Sequence, residues 1–324
     1  MLKIASFFAG VGGIDLGFEQ TGKYKTIYAN EFDGYAADTF ELNFPDVKVD
    51  RRDIHDVKAD EIPNVDVIIG GFPCQAFSVA GYRQGFNDEK GRGELFFELS
   101  RIIKKKKPSI CLLENVKNLV GHDHGNTFRV ICEELEEMGY KYTYQVLNAM
   151  EYGNIPQNRE RIYIIAYRRK KDLANFVWPK SMPLTSTIQD VIDFKHKVNE
   201  KYYYVEGKYS GEIFSKLVEA TKTDDSKMPA VYQWRRKYVR KNQSNVVPTL
   251  TANMGEGGHN VPIVKTKYGI RKLTPRECFN VQGFPKEFKL PINQSDARLY
   301  KQAGNSVCVK VIARIAEEIS SSIS

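Results

Sequence analysis

Asp66-Val67-Ile68-Ile69-Gly70-Gly71-Phe72-Pro73-Cys74-Gln75 opens as a strand and ends at a thiol. Asp66 to Gly70 is β-branched and nearly all apolar, and a glycine pair stops it, the pattern of a buried strand. Pro73 then fixes the backbone immediately before Cys74, so the thiol leaves the strand at a sharp, rigid exit. In an open α/β sheet that exit is where ligands bind. Ser109-Ile110-Cys111-Leu112-Leu113 has the same character and runs into Glu114-Asn115-Val116. If the two runs are parallel neighbours, Cys74 and Glu114 meet at one rim, a thiol nucleophile beside a carboxyl group. Alone the pair is weak, because a single cysteine after a strand is more often a small buried filler.

A chain of 324 residues is long enough for a large core and for two domains. No apolar run is long enough to cross a bilayer, and Lys3-Ile4-Ala5-Ser6-Phe7-Phe8 runs into a glycine turn, unlike a secretory leader. Five cysteines without a Cys-x-x-Cys pair, and five histidines without ligand spacing, argue for a reducing compartment and against a metal site. These features predict a cytosolic protein. The net charge of +8 is unevenly distributed. From Lys227 to Lys289 thirteen Lys or Arg stand against three acidic residues, a local +10 that leaves the remainder slightly acidic. Such concentration fits a nucleic-acid-binding face; a solvated basic surface would carry the same charge.

Along the chain, Ile4 to Phe8 reads as a first strand, followed by Ala9-Gly10-Val11-Gly12-Gly13 and a helix through Leu16 and Phe18. Strand, glycine turn and helix in that order present backbone N–H groups to a nucleotide-like ligand. The spacing is not Gly-x-Gly-x-x-Gly, which counts against an NAD dehydrogenase. Thr26 to Ala29 reads as a second strand ending in Asn30-Glu31, where a carboxylate can meet ribose hydroxyls. A third strand near Val47-Lys48-Val49 leads to Asp53-Ile54, suited to an adenine edge and face. The first half therefore predicts a Rossmann-type α/β site for an adenosine cofactor other than a dinucleotide. Four glycines between Gly81 and Gly93 predict a mobile lid beside the thiol. Glu94 to Lys107 predicts a helix buried through Leu95, Phe96, Leu99, Ile102 and Ile103, and Thr127 to Met138 a further helix. Strands are expected at Tyr142 to Asn148 and Ile162 to Tyr167. Between them, an extended Gln157-Asn158-Arg159-Glu160-Arg161 would put Arg159 and Arg161 on one side, two guanidiniums toward an anion or a base carbonyl.

Six pieces then fall into one order over essentially the whole chain. They are Phe8-Ala9-Gly10-x-Gly12-Gly13, Gly71-Phe72-Pro73-Cys74-Gln75, Glu114-Asn115-Val116, Gln157-x-Arg159-x-Arg161, Arg271-Lys272-Leu273-Thr274-Pro275-Arg276-Glu277 and Gly304-Asn305-Ser306-Val307. In these pieces the chain resembles the bacterial DNA (cytosine-5)-methyltransferases of restriction–modification systems. It departs at Ser6-Phe7, where that family often has Asp-Leu, and the departure bears on contacts to the methionine end of the cofactor.

The resemblance implies a Rossmann-like S-adenosylmethionine-dependent domain, residues 1–184 plus 303–324, and a smaller, mostly irregular and β target-recognition domain, 185–302, with double-stranded DNA in the cleft between. It implies methyl transfer to C5 of a flipped-out cytosine, with Cys74 attacking C6, Glu114 bonding N3, Arg161 bonding O2, and Arg159 supporting Cys74 and the lid. Cofactor contacts are implied for Phe8, Ala9, Gly10, Gly12, Gly13, Glu31, Phe32, Asp53, Ile54, Gly71, Pro73, Leu95, Asn305, Ser306 and Val307. DNA contacts are implied for Ser78, Arg83, Arg92, Gln233, Arg235, Arg236, Arg240 and Thr249. The implied state is a monomer, active without any companion endonuclease encoded nearby. The character of the chain changes near Leu184. Tyr232 to Asn242 interleaves aromatic and basic side chains as phosphates and unstacked bases require, while Trp234 reads equally well as a core anchor. Two rivals stand beside this reading. A transfer-RNA cytosine methyltransferase usually has Pro-Pro-Cys where this chain has Phe72-Pro73-Cys74, and lacks such a basic region. A catalytically dead relative would have lost Cys74, Glu114 or the arginine pair.

Overall fold

A computed structural model describes residues 1–73, 94–208, 212–224, 229–235, 237–242, 244–256 and 260–323. The chain divides into two compact units, Met1–Asn148 with Glu160–Lys180 and Val311–Ser324, and Ala149–Arg159 with Ser181–Lys310. Ala149–Arg159, residues 181–184 and residues 303–310 fall in the second unit, whereas the sequence boundaries would place them in the first. The physical reason is a set of buried hydrogen bonds inside the second unit, described below.

In chain order the strands of the first unit are β1 (Leu2–Phe7), β2 (Tyr24–Asn30), β3 (Val49–Asp50), β4 (Val67–Gly70), β5 (Ile110–Val116) and β6 (Lys141–Asn148). After a two-residue β7 (Gln157–Asn158) in the second unit, β8 (Glu160–Tyr167) completes the sheet. The order is β3-β2-β1-β4-β5-β8-β6. β3 to β5 are parallel, and β8 is antiparallel to both of its neighbours. Strand order reverses direction between β1 and β4, the switch point at which such sheets open a crevice. Every residue of β4 is buried, as a run covered on both faces requires. The helices are α1 (Gly13–Glu19), α2 (Gly34–Asn43), α3 (Glu94–Lys106) and α4 (Asn126–Glu137). Phe96, Leu99, Ile102 and Ile103 of α3 join Ala5, Ile68, Leu113 and Ile164 in the main core. α2 covers the other end of the sheet through Ala37 and Phe40 against Ala29 and Val49. The Glu114-Asn115-Val116 triplet lies within β5, not beyond it.

The second unit holds α5 (Ile213–Ala220), the strands β9 (Val231–Trp234), β10 (Val239–Lys241), β11 (Val247–Pro248), β12 (Ile263–Thr266) and β13 (Gly269–Lys272), and the helices α6 (Pro275–Val281) and α7 (Asp296–Asn305). Its antiparallel sheet has the order β10-β9-β12-β13. Leu217 of α5 packs on Tyr232, Ile263 and Ile270, with Trp234 and Val239 half-buried at the edge. Tyr232 and Trp234 thus belong to the core side of their strand, and of the three aromatics in that segment only Tyr238 is exposed. The last helix, α8 (Val309–Ser322), carries the chain back into the first unit. Among the described residues no helix is long and apolar enough to cross a membrane.

Candidate active site

Next to the switch point β4 and β5 run side by side, with Gly70 opposite Leu113. The parallel pairing that the two apolar runs suggested is therefore present, and Glu114 stands one residue beyond the last pair. A side chain at Gly71 would bring a Cβ to 3.2 Å from Glu114 Oε2, so the absence of one leaves room for the carboxyl group. Glu114 is 8 % exposed. Arg161, opposite Val116 in the β5–β8 ladder, places Nε 3.2 Å from Glu114 Oε1. Its Nη1 donates to the Glu160 carbonyl at 2.8 Å. Among the described residues nothing else accepts a hydrogen bond from Arg161, so its outer N–H groups remain for a ligand. Asn115 Nδ2 donates to the Phe72 carbonyl at 2.9 Å, and its Oδ1 accepts from Val116 N at 2.8 Å. That bond fixes the backbone one residue before Pro73.

Cys74 lies outside the described residues, as do Ser78, Arg83, Arg92 and Arg236 and the expected lid. The other cysteines, Cys111, Cys132, Cys278 and Cys308, are buried thiols outside any disulfide. Burial raises the thiol pKa of Cys111, Cys132 and Cys278 above the ordinary value, so near neutral pH they are protonated and poor nucleophiles.

Across the switch point, β1 enters the turn Phe8-Ala9-Gly10-Val11-Gly12. Phe8, Gly10 and Gly12 have φ of 52°, 54° and 84°. At Gly12 a Cβ would also lie 2.4 Å from the Phe44 ring, so glycine is required twice over. Glu31, just past β2, accepts from Gly10 N and Asp33 N, each at 2.7 Å. The next residue, Phe32, is 72 % exposed. Asp53 accepts from His55 N at 3.0 Å, and that bond with the His55 ring holds its carboxyl below the usual range despite partial burial. Ile54 is buried, and Leu95 of α3 is half-buried against the main core. Glycine turn, Glu31-Phe32, Asp53 and Gly71-Phe72-Pro73 all belong to the β1–β4 end of one unit.

Asn305, Ser306 and Val307 lie in the second unit, at the end of α7. Gly304 is there because a Cβ would be 2.2 Å from the Thr251 carbonyl carbon. Arg159, 2 % exposed, donates to the carbonyls of Leu250 (2.8 Å), Gly304 (3.2 Å) and Ser306. Gln157 Nε2 donates to Val281 O at 2.8 Å and Gln282 Oε1 at 3.1 Å, and Gln282 Nε2 donates to Ala303 O at 2.7 Å. The extended segment expected over 157–161 passes from β7, paired with β11, to β8 in the other sheet, and Arg159 donates to backbone carbonyls of the second unit.

In the same unit a hollow of about 400 Å³ is lined by Asn158, Gln233, Arg235, Arg240, Asn242, Thr249, Thr251, Asn253 and Asn260 with Pro248. Two guanidiniums converge on one amide there: Arg240 Nη2 lies 2.5 Å and Arg235 Nη2 3.3 Å from Gln233 Oε1. Thr249 Oγ1 donates to Asn158 O at 2.6 Å. Among the described residues the hollow has donors in excess and no acidic lining residue, the chemistry of a surface for phosphates and base edges.

Sequence reasoning assigned no role to Asn30, Asn115, Gln157 or Gln282. Asn30 Nδ2 donates to the carbonyls of Asp50 and Arg52, each at 2.9 Å, and so fixes the segment that leads to Asp53. Asn30 and Asn115 each adjoin a residue that was singled out, which was the available signal.

The C-5 cytosine-specific DNA methylase family matches residues 2–321. The chain is 60 % identical over 319 residues to the type II methyltransferase M.Bsp6I of Bacillus sp. (strain RFL6), covering 98 % of each. It is 36 % identical over 331 residues to M.HhaI of Haemophilus parahaemolyticus, covering 99 % of this chain and 95 % of that one. Among solved structures, the Entamoeba histolytica methyltransferase EhMeth superposes with a TM-score of 0.73 at 20 % identity, covering 98 % of both chains. The Dnmt2 methyltransferase of S. pombe superposes at 0.72 and 18 % identity, covering 99 % of both, and at such identity it attests the fold alone. With the sheet, the glycine turn and the Glu114–Arg161 rim already in place, the match over nearly the full length means that the chain belongs to the family of C-5 cytosine-specific DNA methylases.

Proposed function

We propose that this enzyme methylates C5 of one cytosine in a defined duplex DNA sequence through a covalent Cys74–C6 adduct on a flipped-out base, as the protective half of a cytoplasmic restriction–modification system. The observation that carries the reading is Glu114, largely buried, paired with Arg161, and placed beyond the β4–β5 pairing beside Gly71-Phe72-Pro73. C5 of cytosine is a poor nucleophile. Attack of a Cys74 thiolate on C6 breaks the 5,6 double bond, pushes its electron pair through the ring toward N3, and leaves C5 enamine-like. A carboxyl group within reach of N3 stabilises that charge by donating or sharing a proton, and an arginine beside it takes O2. After the methyl group is on C5, loss of the C5 proton to a base expels the sulfur from C6 and restores the ring. Inside a duplex C6 is inaccessible to a protein thiol, so the nucleotide must leave the stack.

The methyl group comes from S-adenosylmethionine, whose sulfonium makes it an electrophile. The residues at the β1–β4 end fit such a group: two carboxylates, Glu31 and Asp53, at successive strand ends for ribose and adenine, the exposed Phe32 between them as a stacking face, and a turn whose glycines admit close approach. Asn305 to Val307 are further proposed cofactor contacts. DNA would be held through Arg235, Arg240 and Thr249 around the polar hollow, with Gln233 presented by the two arginines. We propose a monomer that needs no companion endonuclease for activity. Bisulfite sequencing of plasmid DNA from cells producing the chain tests the whole reading. Protected cytosines at one recurring sequence are expected, and fully converted DNA would refute it.

A further inference from the structure

The turn joining β1 to α1 bends three times into the left-handed region, at Phe8, Gly10 and Gly12, a path that side chains disfavour. Something must hold its two ends. Ser6, in β1, donates from Oγ to Asp15 Oδ2 at 2.9 Å, so one bond closes the loop that contains the whole turn. The other oxygen of the same carboxyl group, Oδ1, accepts from Thr26 Oγ1 in β2 at 3.0 Å. Asp15 and Thr26 are fully buried and Ser6 nearly so. One carboxyl group therefore ties together β1, α1 and β2, the elements that carry the glycine turn and lead to Glu31.

We propose that Asp15 is a positioning residue for the methyl-donor loop, and that its ionised form, which accepts both hydroxyls, is the form that binds S-adenosyl ligands. The proposal rests on the methyl-donor reading above. Bonds to a carboxylate are roughly twice as strong as neutral ones. Once the group is protonated, one oxygen becomes a donor and one hydroxyl must reverse. Burial, outweighing the two hydroxyl bonds, raises the carboxyl to about 7, and Glu19 on the same helix raises it further. Among the described residues no cation offsets this. β4 has no charged residue, β1 has only the exposed-end Lys3, and Lys25 of β2 is engaged with Asp46 at 3.4 Å and Glu19 at 3.8 Å. Tyr24 and Tyr28 of β2 stay neutral across this range.

The test is calorimetric titration of the full chain, without DNA, with S-adenosylhomocysteine between pH 6 and pH 8. Affinity that follows the ionised fraction of a group titrating near 7 should fall about tenfold from pH 8 to pH 6. Asp15→Asn keeps the shape but cannot ionise; it should bind more weakly than wild type at pH 8 and show no pH slope. Ser6→Ala should bind more weakly at pH 8, yet keep a slope, since the carboxyl group remains. His55 lies beside Asp53, and His55→Gln should leave the slope in place. A wild-type affinity that is flat from pH 6 to pH 8, or a slope that survives in Asp15→Asn, would overturn the proposal. If Asp15→Asn does not fold, as an apo melting curve would show, the wild-type and Ser6→Ala profiles decide. Absence of binding at every pH would instead refute the methyl-donor reading.

Discussion

Replacing Glu114 by Gln keeps the length of the side chain and removes its charge, and with it the ion pair to Arg161. If the group stabilises charge only as C6 is attacked, single-turnover methylation should slow by the factor typical of one lost transition-state interaction, about 2.7–4 kcal/mol, while DNA affinity changes little. A near-wild-type rate in the mutant would take Glu114 out of the mechanism. The thiol has its own test. A 5-fluorocytosine at the target position accepts the methyl group but cannot release fluorine as a cation, so the adduct should stall as a denaturant-resistant protein–DNA complex. It should require S-adenosylmethionine, be absent in Cys74→Ser, and map to Cys74, because Cys111, Cys132 and Cys278 are held as thiols by burial. Asp15 also leaves a mark on stability. Its folded carboxyl titrates near 7 against 3.8 when unfolded, so between these values the native state holds a proton that the unfolded chain has lost. Its contribution to stability is therefore full below pH 4 and lost as pH rises toward 7, by at most about 4 kcal/mol. Urea unfolding of Asp15→Asn should show a shallower decline over that window than wild type. Glu114 was legible from the chain because two apolar runs end at comparable points. The bond from Asn115 to Phe72 was not, since a contact across 43 residues leaves no local pattern.

At the level of elements, the Arg271 to Glu277 motif is structural. Arg271 is fully buried and forms two parallel bonds to Glu277, at 2.7 and 2.8 Å, with a further bond to Asp193 O at 2.7 Å. Glu277 also accepts from Thr274 N at 2.8 Å, closing the capping box of α6. Removing one partner of a buried pair leaves an uncompensated charge, so Glu277→Ala should lower unfolding free energy by about 3–5 kcal/mol, read by urea denaturation. Breaking an exposed pair such as Lys197 with Glu200 should leave the unfolding midpoint nearly unchanged by the same measurement. These two outcomes together separate a buried staple from ordinary surface charge. Nothing in the sequence signals that Arg271 faces inward, because charged residues are normally exposed. The same limit applied at Arg159. Alternation is a rule within one ladder, and the chain changes sheets between Asn158 and Glu160.

For the molecule as a whole, the concentration of positive charge overstates what DNA can meet. Of the thirteen cations between Lys227 and Lys289, Arg271 is locked to Glu277, Arg276 donates to Phe288 O and is partly buried, and Lys265 donates to Thr221 O at 2.7 Å. Lys241 lies 3.5 Å from Asp224. Composition counts charges but not their partners, so this difference appears only in the fold. Arg235 and Arg240 are otherwise placed: both are exposed, both line the polar hollow, and neither has an acidic partner among the described residues. If they meet phosphates, each releases about one counterion on binding. Arg235→Gln with Arg240→Gln should then weaken duplex binding at low salt and reduce the slope of log affinity against log salt by about two. Lys265→Gln, whose ammonium is turned to a carbonyl of its own unit, should leave that slope unchanged. S-adenosylhomocysteine affinity should be the same in all three proteins, since the proposed donor residues of the first unit are untouched. Binding isotherms over 50 to 200 mM salt, read by fluorescence anisotropy on a labelled duplex, measure the slope directly. An unchanged slope in the double mutant would mean that the hollow does not hold the DNA backbone.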